Sequence, residues 1–598
     1  GQQSIYSTTI SQGVRMVTQI NGPGCSTCAE GNSSYTYDPS TNDLWTVVNN
    51  GVTTEYGNYY SNGNPGYKIE ALGTTEERRT DYTYDSRFHS KITTITEPSV
   101  LAADPTAQCT PGVDCKVTTY SYDDFGNRLS ETINGYDPAG NPVSRTTTYQ
   151  YNGPLHQLSQ IDGPLPNTPV PDTTTFIYYP DDPGEGNNRA RLKQVTGPLY
   201  IQRDNITYTA TGKVASEDRP NGLSLAYTYY PGNDRLETLT ESDGTTSKVT
   251  RWTYLTTGEV ETITTAYGAA DATTLTFGYD DARRLTKITD GLNNYIEYVL
   301  DTEGNREEEN TYDSTDTLKK ALTQTFDNYN RLNLATQANE AMDYDFDPDG
   351  TLDQQTDGTG SMTDFSYDSL KRLLTSTQDL GGLGAVTQYG YDAGDRLTQV
   401  IDPNTGTTTY QYDDLGNLLQ TDSPDTGTTT YTYDEAGNLK TRTDAKGQQF
   451  TYSYDILNRL TNVDAPGTAD DITYVYDDTC TNDTGRLCSV TMGSTIVTYN
   501  YDAFGNVTAH QQLTYAYDAA NRLKTITYPS GAEVTYSYDA AGQVSQVDLT
   551  DGGTTTTLAS GITYAPFGAV EGLTYGNTAT LSQSRDTAYR LTDQAVPG

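Results

Sequence analysis

The chain has 598 residues and a net charge of −42, with 37 Lys and Arg facing 79 Asp and Glu. That balance excludes a nucleic-acid binder, which needs clustered cations to neutralise phosphates, and an anionic membrane surface would repel it; no run approaches the roughly 18 apolar residues of a membrane span. Apolar residues make up 34% and Tyr (50) far outnumbers Phe (10) and Trp (2), a composition too poor for several compact cores, so periodicity is the first thing to test.

Residues 1–120 read as an irregular, degenerate β-repeat region. Gly1 is not an initiating Met and no signal peptide follows it, which points to a processing product or the edge of a fragment. Two cysteine pairs stand here, Cys25 with Cys28 in a CxxC and Cys109 with Cys115 in CTPGVDC. Zinc would want a second CxxC or nearby histidines. Local disulfides are favoured over free thiols, and they would place the protein outside the cytoplasm.

Residues 121–598 form a repeat array with a period of about 21, clearest over 279–545. It opens at YDDFGNRL (122–129) and is still degenerate at Tyr208 with Val214 and Tyr230 with Leu236. From Tyr279 with Leu285 and Phe326 with Leu332, an apolar residue stands six positions after each aromatic. The stretch DYDFDPDG (343–350) offers a calcium-loop alternative: Asp345, Asp347, Asp349 and Gly350 match the first, third, fifth and sixth loop positions. The match fails at Thr356, where a bidentate Glu is needed, and in the repeat frame Phe346 takes the aromatic place, Asp347 caps a turn and Gly350 closes it. Calcium there is the lesser reading, and no other cofactor is expected.

The pattern is sharpest in the units led by Tyr391, Asp392 and Leu397; by Tyr412, Asp413, Gly416 and Leu418; by Tyr433, Asp434, Gly437 and Leu439; and by Tyr454, Asp455 and Leu460. TTTYTYD (428–434) alternates with period two, so it predicts a strand with tyrosines on one face and threonines on the other. Asp434 and Gly437 predict a short hairpin turn, and NLKTRTD the returning strand. A lone hairpin is unstable in water, so stability must come from stacking on neighbours. About twenty such units at about 4.8 Å per strand make a ribbon on the order of 190 Å long, which sheet twist should coil. The unit from Tyr476 is enlarged, and a disulfide between Cys480 and Cys488 would restore its hairpin.

These units, with YDAFGNV (501–507), YDAANRL (517–523) and YAPFGAV (564–570), resemble the tyrosine-aspartate repeats of the rearrangement-hot-spot (Rhs) family, related to teneurins and to the cocoon-forming subunits of insecticidal toxin complexes. The resemblance covers most of the chain. It implies an all-β fold of stacked two-stranded hairpins, a spiral β-ribbon winding into a hollow shell or barrel-like cocoon, often around a toxic C-terminal segment used against competing cells or hosts. The aspartyl self-cleavage motif that toxin-bearing members carry is not matched after Gly568, and RDTAYRLTDQAVPG reads as part of another repeat. The chain thus reads as a fragment, with any cargo outside it.

Two functions remain. One is a non-enzymatic secreted or bacterial cell-surface shell that encloses or displays a cargo domain of the same polypeptide. The other is an extracellular scaffold or adhesive fibre whose partners are its own copies or cell-surface glycans stacked on tyrosine. Catalysis has little support: His89, His156 and His510 stand alone in polar contexts, with no nucleophile elbow or phosphate loop.

Overall fold

The computed structural model describes residues 5–596 apart from 13, 22–31, 105–106, 167–170 and 468. Among the described residues fifty strands form one sheet in which each, the two end strands apart, pairs antiparallel with the strands before and after it in sequence. Among the described residues the only helical elements are short 3-10 turns at Pro183–Asn188 and Pro220–Gly222.

The predicted hairpin is the building unit. Strand Gly427–Tyr433 returns as Leu439–Thr443, and the residues six apart are the last cross-strand partners before the turn: Tyr391 with Leu397, Tyr412 with Leu418, Tyr433 with Leu439 and Tyr454 with Leu460. Each of these pairs closes on a bulge, which raises the local twist. Repeated at every second turn, that twist curls the ribbon. Tyr431 and Tyr433 lie half-buried on one face, while Thr430 and Thr432 are exposed on the other.

The aspartate after each tyrosine builds its own turn. Asp434 Oδ1 accepts the backbone N–H groups of Ala436 (3.0 Å) and Asn438 (2.8 Å), and Oδ2 accepts the Asn438 side-chain amide at 3.0 Å. Gly437 supplies the required left-handed backbone, with φ 91°. A second form of the turn replaces Gly-Asn by Lys-Arg: Asp368 accepts from Arg372 N (2.9 Å) and Nε (2.6 Å), and Lys371 takes φ 65°. The arginine form also reaches the next unit. Arg372 Nη1 donates to the Asp392 carbonyl at 2.7 Å and its guanidinium lies 5.0 Å from the centre of the Tyr391 ring. Arg331 does the same toward Asp347 (3.3 Å) and the Phe346 ring (4.5 Å).

Tyrosine hydroxyls join the units in the opposite direction. Tyr433 Oη donates to the carbonyl of Leu418, the turn-closing leucine of the preceding unit, at 2.9 Å. The same bond runs from Tyr229 to Val214, Tyr279 to Val260, Tyr501 to Leu487 and Tyr564 to Val544, and near the start of the chain from Tyr37 to Val17 and Tyr122 to Ile92. It explains why the repeat is written in Tyr rather than Phe. The expected boundary at residue 120 falls inside strand Cys115–Tyr122, and the sheet crosses it unbroken.

Successive turns fall on alternate edges, so most Tyr-Asp turns line one rim of the ribbon, while the intervening turns, with those at Asp137 and Asp313, line the other. The ribbon then coils onto itself. The turn after the fourth strand (Leu44–Asn49) meets the turn after the twenty-seventh (Glu340–Phe346), where Asn50 Nδ2 donates to the Pro348 carbonyl at 3.2 Å. The turn after the twenty-sixth (Leu332–Gln337) meets that after the forty-ninth (Thr580–Arg585) through Glu340 and Arg590. One revolution therefore takes twenty-three strands here, and twenty-five where Arg78 meets Asp395 and Val100 meets Asp414, which at about 4.8 Å each is a circumference of about 110 to 120 Å and a diameter of about 35 to 40 Å. Because both counts are odd, the rims that meet are opposite ones. The sheet remains open, since its end strands, Ile5–Ser11 and Leu591–Ala595, each pair with a single neighbour.

Buried apolar side chains among the described residues are scattered, with Met16, Val195, Ile206, Tyr298 and Val534 the larger ones apart from cysteines. The wall is one sheet thick, with solvent on both faces.

Two outcomes follow from this bonding. Replacing Tyr433 with Phe removes one hydrogen bond worth about 1 kcal/mol, and amide exchange should rise in Leu418–Ser423 and Gly427–Tyr433 while strand Tyr295–Leu300 is unchanged. The second concerns acid. Asp85 is held down at about 2 by the Arg87 side chain and the turn's backbone N–H groups, and Asp38 and Asp313 are lowered first by the hydroxyls of Ser40 and Thr315. A lowered carboxyl stabilises the fold above its unfolded value of 3.8 and loses that effect as pH falls toward its folded value. Circular dichroism should therefore show an intact sheet from pH 7 down to about 4 and loss of structure between about 4 and 2.

Candidate functional site

The place where distant parts of the chain meet is the seam between the two revolutions. There, turns on the Tyr-Asp rim of the second revolution dock on the opposite rim of the first. Arg78 Nη1 donates to the Ala393 carbonyl at 3.1 Å and pairs with Asp395 at 2.7 Å, while its Nε holds Glu70 at 3.1 Å. Asp414, 4% exposed, accepts the backbone N–H of Val100 at 2.8 Å and of Tyr136 at 2.7 Å, and its own N–H donates to the Tyr136 carbonyl at 2.9 Å. Position 135 must be glycine for this approach, because a Cβ there would run into the Asp414 side chain.

Further along, the Asn221 side chain pairs with the Thr484 backbone, donating to its carbonyl at 3.0 Å and accepting its N–H at 3.1 Å. Lys248 lies 3.9 Å from the centre of the Phe504 ring and donates to Asn521. Asp271 accepts the Ala519 N–H at 2.9 Å, and Ala321 N–H donates to the Thr587 carbonyl at 3.0 Å. Burial pushes the Asp414 carboxyl up, against the pull of the Val100 and Tyr136 N–H groups, and pushes the Lys248 ammonium down, against Asp502.

Sequence reasoning missed these seam residues. Their partners lie 248 to 317 positions away, and a single polar residue in a turn gives no local sign of such a partner.

The residues singled out from sequence are placed as follows. The leading aspartates cap their turns, as Asp392, Asp413 and Asp455 show by each accepting the backbone N–H four positions on. Within DYDFDPDG, Asp347 closes its turn through backbone bonds to Thr351 and Gly350, Asp349 accepts the Thr351 N–H and hydroxyl, and Asp345 sits in a strand opposite Gln354. The structure thus spreads the three calcium candidates over a strand and a turn, and among the described residues no group of His, Cys, Asp and Glu is arranged to hold a metal ion.

Cys109–Cys115 and Cys480–Cys488 are disulfides; Cys25 and Cys28 lie outside the described residues. His156 stacks on Phe125 at 4.0 Å and His510 on Tyr499 at 5.0 Å, while the His89 carbonyl accepts from Asn64. The first two are ring-packing contacts, and the third is a hydrogen bond to the backbone. No described helix is long and apolar enough to cross a membrane.

The model of the RHS Repeat family matches residues 380–407, 395–428, 412–449, 433–470 and 517–561. No curated protein matches the sequence. Among solved structures, a Photorhabdus luminescens Tc holotoxin pore carrying a TccC3 mutation is similar at 12% identity with a TM-score of 0.47, covering 100% of this chain and 34% of its own. TcdB2-TccC3 without its hypervariable C-terminal region gives 13% and 0.49, covering 99% and 34%, and TcdB2-TccC3 itself gives 16% and 0.45, covering 100% and 35%. The chain spans about a third of the length of these structures. Residues 380–470 and 517–561 therefore carry RHS repeats, and the same hairpin and turn bonding continues on both sides of them.

Proposed function

We propose that the chain is part of the wall of an extracellular hollow shell that encloses or displays a cargo segment of a longer polypeptide, and that it carries no catalysis of its own. The observation behind this reading is the single-layer sheet coiled through two superposed revolutions: a wall wet on both faces encloses space instead of filling it. Two disulfides suit an oxidising compartment.

The fibre reading requires copies to stack rim on rim, and charge opposes it. The rim of the first revolution that meets the second carries Arg78, Arg145 and Lys248 beside turn acids such as Asp137, Asp243, Asp271 and Asp290, and specific pairs such as Arg78 with Asp395 offset the acids there. The corresponding free rim of the second presents Asp357, Asp379, Asp402, Asp444 and Asp551, with Lys446 its one cation among the described turns. The free Tyr-Asp rim of the first revolution is acidic as well, with Asp38, Asp123, Asp280 and Asp301. Like charges on both free rims keep copies apart at low salt.

Electron cryomicroscopy and limited proteolysis of the full polypeptide test the proposal. Hollow particles, with a segment that proteases reach only after unfolding, are the expected result; a solid or fibrous assembly, or a remaining segment digested at once in the native particle, rejects the shell. Sedimentation of the chain at low ionic strength should give single particles. Polymers that form there would favour the fibre.

A further inference from the structure

Near the start of the ribbon two neighbouring turns on the same rim depart from the repeat. Regular units place five residues, 434–438, between the closing pair Tyr433 and Leu439. Six, 38–43, lie between Tyr37 and Leu44, and nine, 58–66, between Gly57 and Tyr67. These enlarged turns flank the hairpin of Leu44–Asn49 and Val52–Gly57. They stand on the free rim of the first revolution, away from the seam. Between them is a cavity of 330 Å³, a size within the roughly 300–1,000 Å³ of small-ligand sites.

The longer turn is pinned from behind, so the cavity is preformed. The Asn62 and Asn64 side chains donate to the His89 carbonyl, the latter at 2.8 Å, and the Tyr84 hydroxyl donates to the Pro65 carbonyl at 3.1 Å. Tyr82 N–H holds the Gly66 carbonyl at 2.8 Å. Two of the lining tyrosines are already engaged. Tyr59 Oη donates to the Leu44 carbonyl, the same inter-unit bond that Tyr433 makes, and Tyr67 donates to Glu55 at 2.8 Å with the Arg79 guanidinium 4.2 Å from its ring centre.

The groups left over are of complementary kinds. Trp45, one of two tryptophans in the chain, follows the closing Leu44 where regular units have Leu419 or Lys440, and it is 51% exposed. Thr46 pairs with Glu55, and Trp45 and Tyr56 are the next residues along, both lining the cavity. Asp38 spends one carboxylate oxygen on the Ser40 and Thr41 N–H groups, at 2.7 and 3.2 Å, and keeps the other. Among the described residues no hydrogen bond of the fold uses the Asp43 carboxylate, the Asn58 amide or Trp45 Nε1–H. The cavity thus offers an indole face, two donors and two carboxylate acceptors.

We propose that this cavity binds a neutral sugar, the terminal mono- or disaccharide of a glycan, with a pyranose ring stacked on Trp45 and its hydroxyls shared between Asp43 and Asn58. A pyranose has an apolar C–H face for the indole, and hydroxyls that both donate and accept, so it satisfies every group left over. Hydroxyls donating to a carboxylate make charge-assisted bonds. An acidic sugar would be repelled by Asp38 and Asp43 on an acidic rim. An ammonium ligand would leave Trp45 Nε1–H and the Asn58 amide facing a cation with nothing to accept them. The repeat tyrosines offer less to a sugar, since hydroxyls such as that of Tyr433 are bonded to the unit before. The site goes beyond the shell reading and does not depend on what the coil encloses.

A glycan array probed with the labelled chain tests this, with neutral and acidic glycans and immobilised choline on the same surface. Neutral glycans should retain the chain; Trp45→Ala and Asn58→Ala should each weaken retention about tenfold, and Trp252→Phe should leave it unchanged. In the Trp252→Phe variant Trp45 is the sole tryptophan, and the free sugar of the best-retained glycan should shift its emission saturably. If Trp45→Ala fails to fold, that titration decides. The proposal is overturned if no neutral glycan retains the unaltered chain, if retention survives both Trp45→Ala and Asn58→Ala, if acidic glycans or choline are preferred, or if the sugar binds without changing Trp45 emission.

Discussion

The structure depends on one hydrogen bond repeated along the ribbon: a tyrosine hydroxyl at the end of one hairpin donating to the turn-closing carbonyl of the hairpin before it, as Tyr433 does to Leu418. Backbone ladders hold neighbouring strands at the right spacing, but they would serve equally in a flat or a slipped sheet. The hydroxyl bond fixes which residue of one unit faces which residue of the next. Where the turn ends in arginine, a second link runs the other way, from Arg372 to the Asp392 carbonyl and the Tyr391 ring. A wall with almost no apolar core is stable because register is set by polar bonds that each unit carries within its own twenty-one residues.

The same economy explains the composition. A shell one sheet thick cannot bury many aliphatic side chains, so it is built from residues with one apolar and one polar part. Tyrosine packs its ring and spends its hydroxyl on a carbonyl. The high acid content comes largely from the turns, where each aspartate satisfies backbone N–H groups that would otherwise face solvent unpaired. Cations are few and are placed where they bridge, within a unit, to the next unit or across the seam.

Much of this was legible in the sequence. The spacing of six between Tyr391 and Leu397 is the closing pair of a bulged hairpin, and Asp347 in DYDFDPDG, expected to cap its turn, closes it through backbone bonds. The neighbouring-cysteine rule found both described disulfides. Hidden were the contacts between revolutions. Asp414 looks like the second acid of an ordinary YDD turn, and nothing local reveals that its carboxylate receives Val100 and Tyr136 from the coil beside it. The number of strands per revolution follows from accumulated twist, a small angle at every bulge, and errors in it add up over a full revolution.

The odd number of strands per revolution bears on how such a gene can change. Duplication or loss of a whole hairpin moves the chain by two strands and leaves every downstream turn on its own rim, so recombination between near-identical repeats yields proteins that still coil and still meet rim to opposite rim. Gain or loss of a single strand transposes all later Tyr-Asp turns to the wrong edge, where Asp414 and Thr484 have no partners. Repeat number can therefore drift by whole units, and the length of the coil drifts with it.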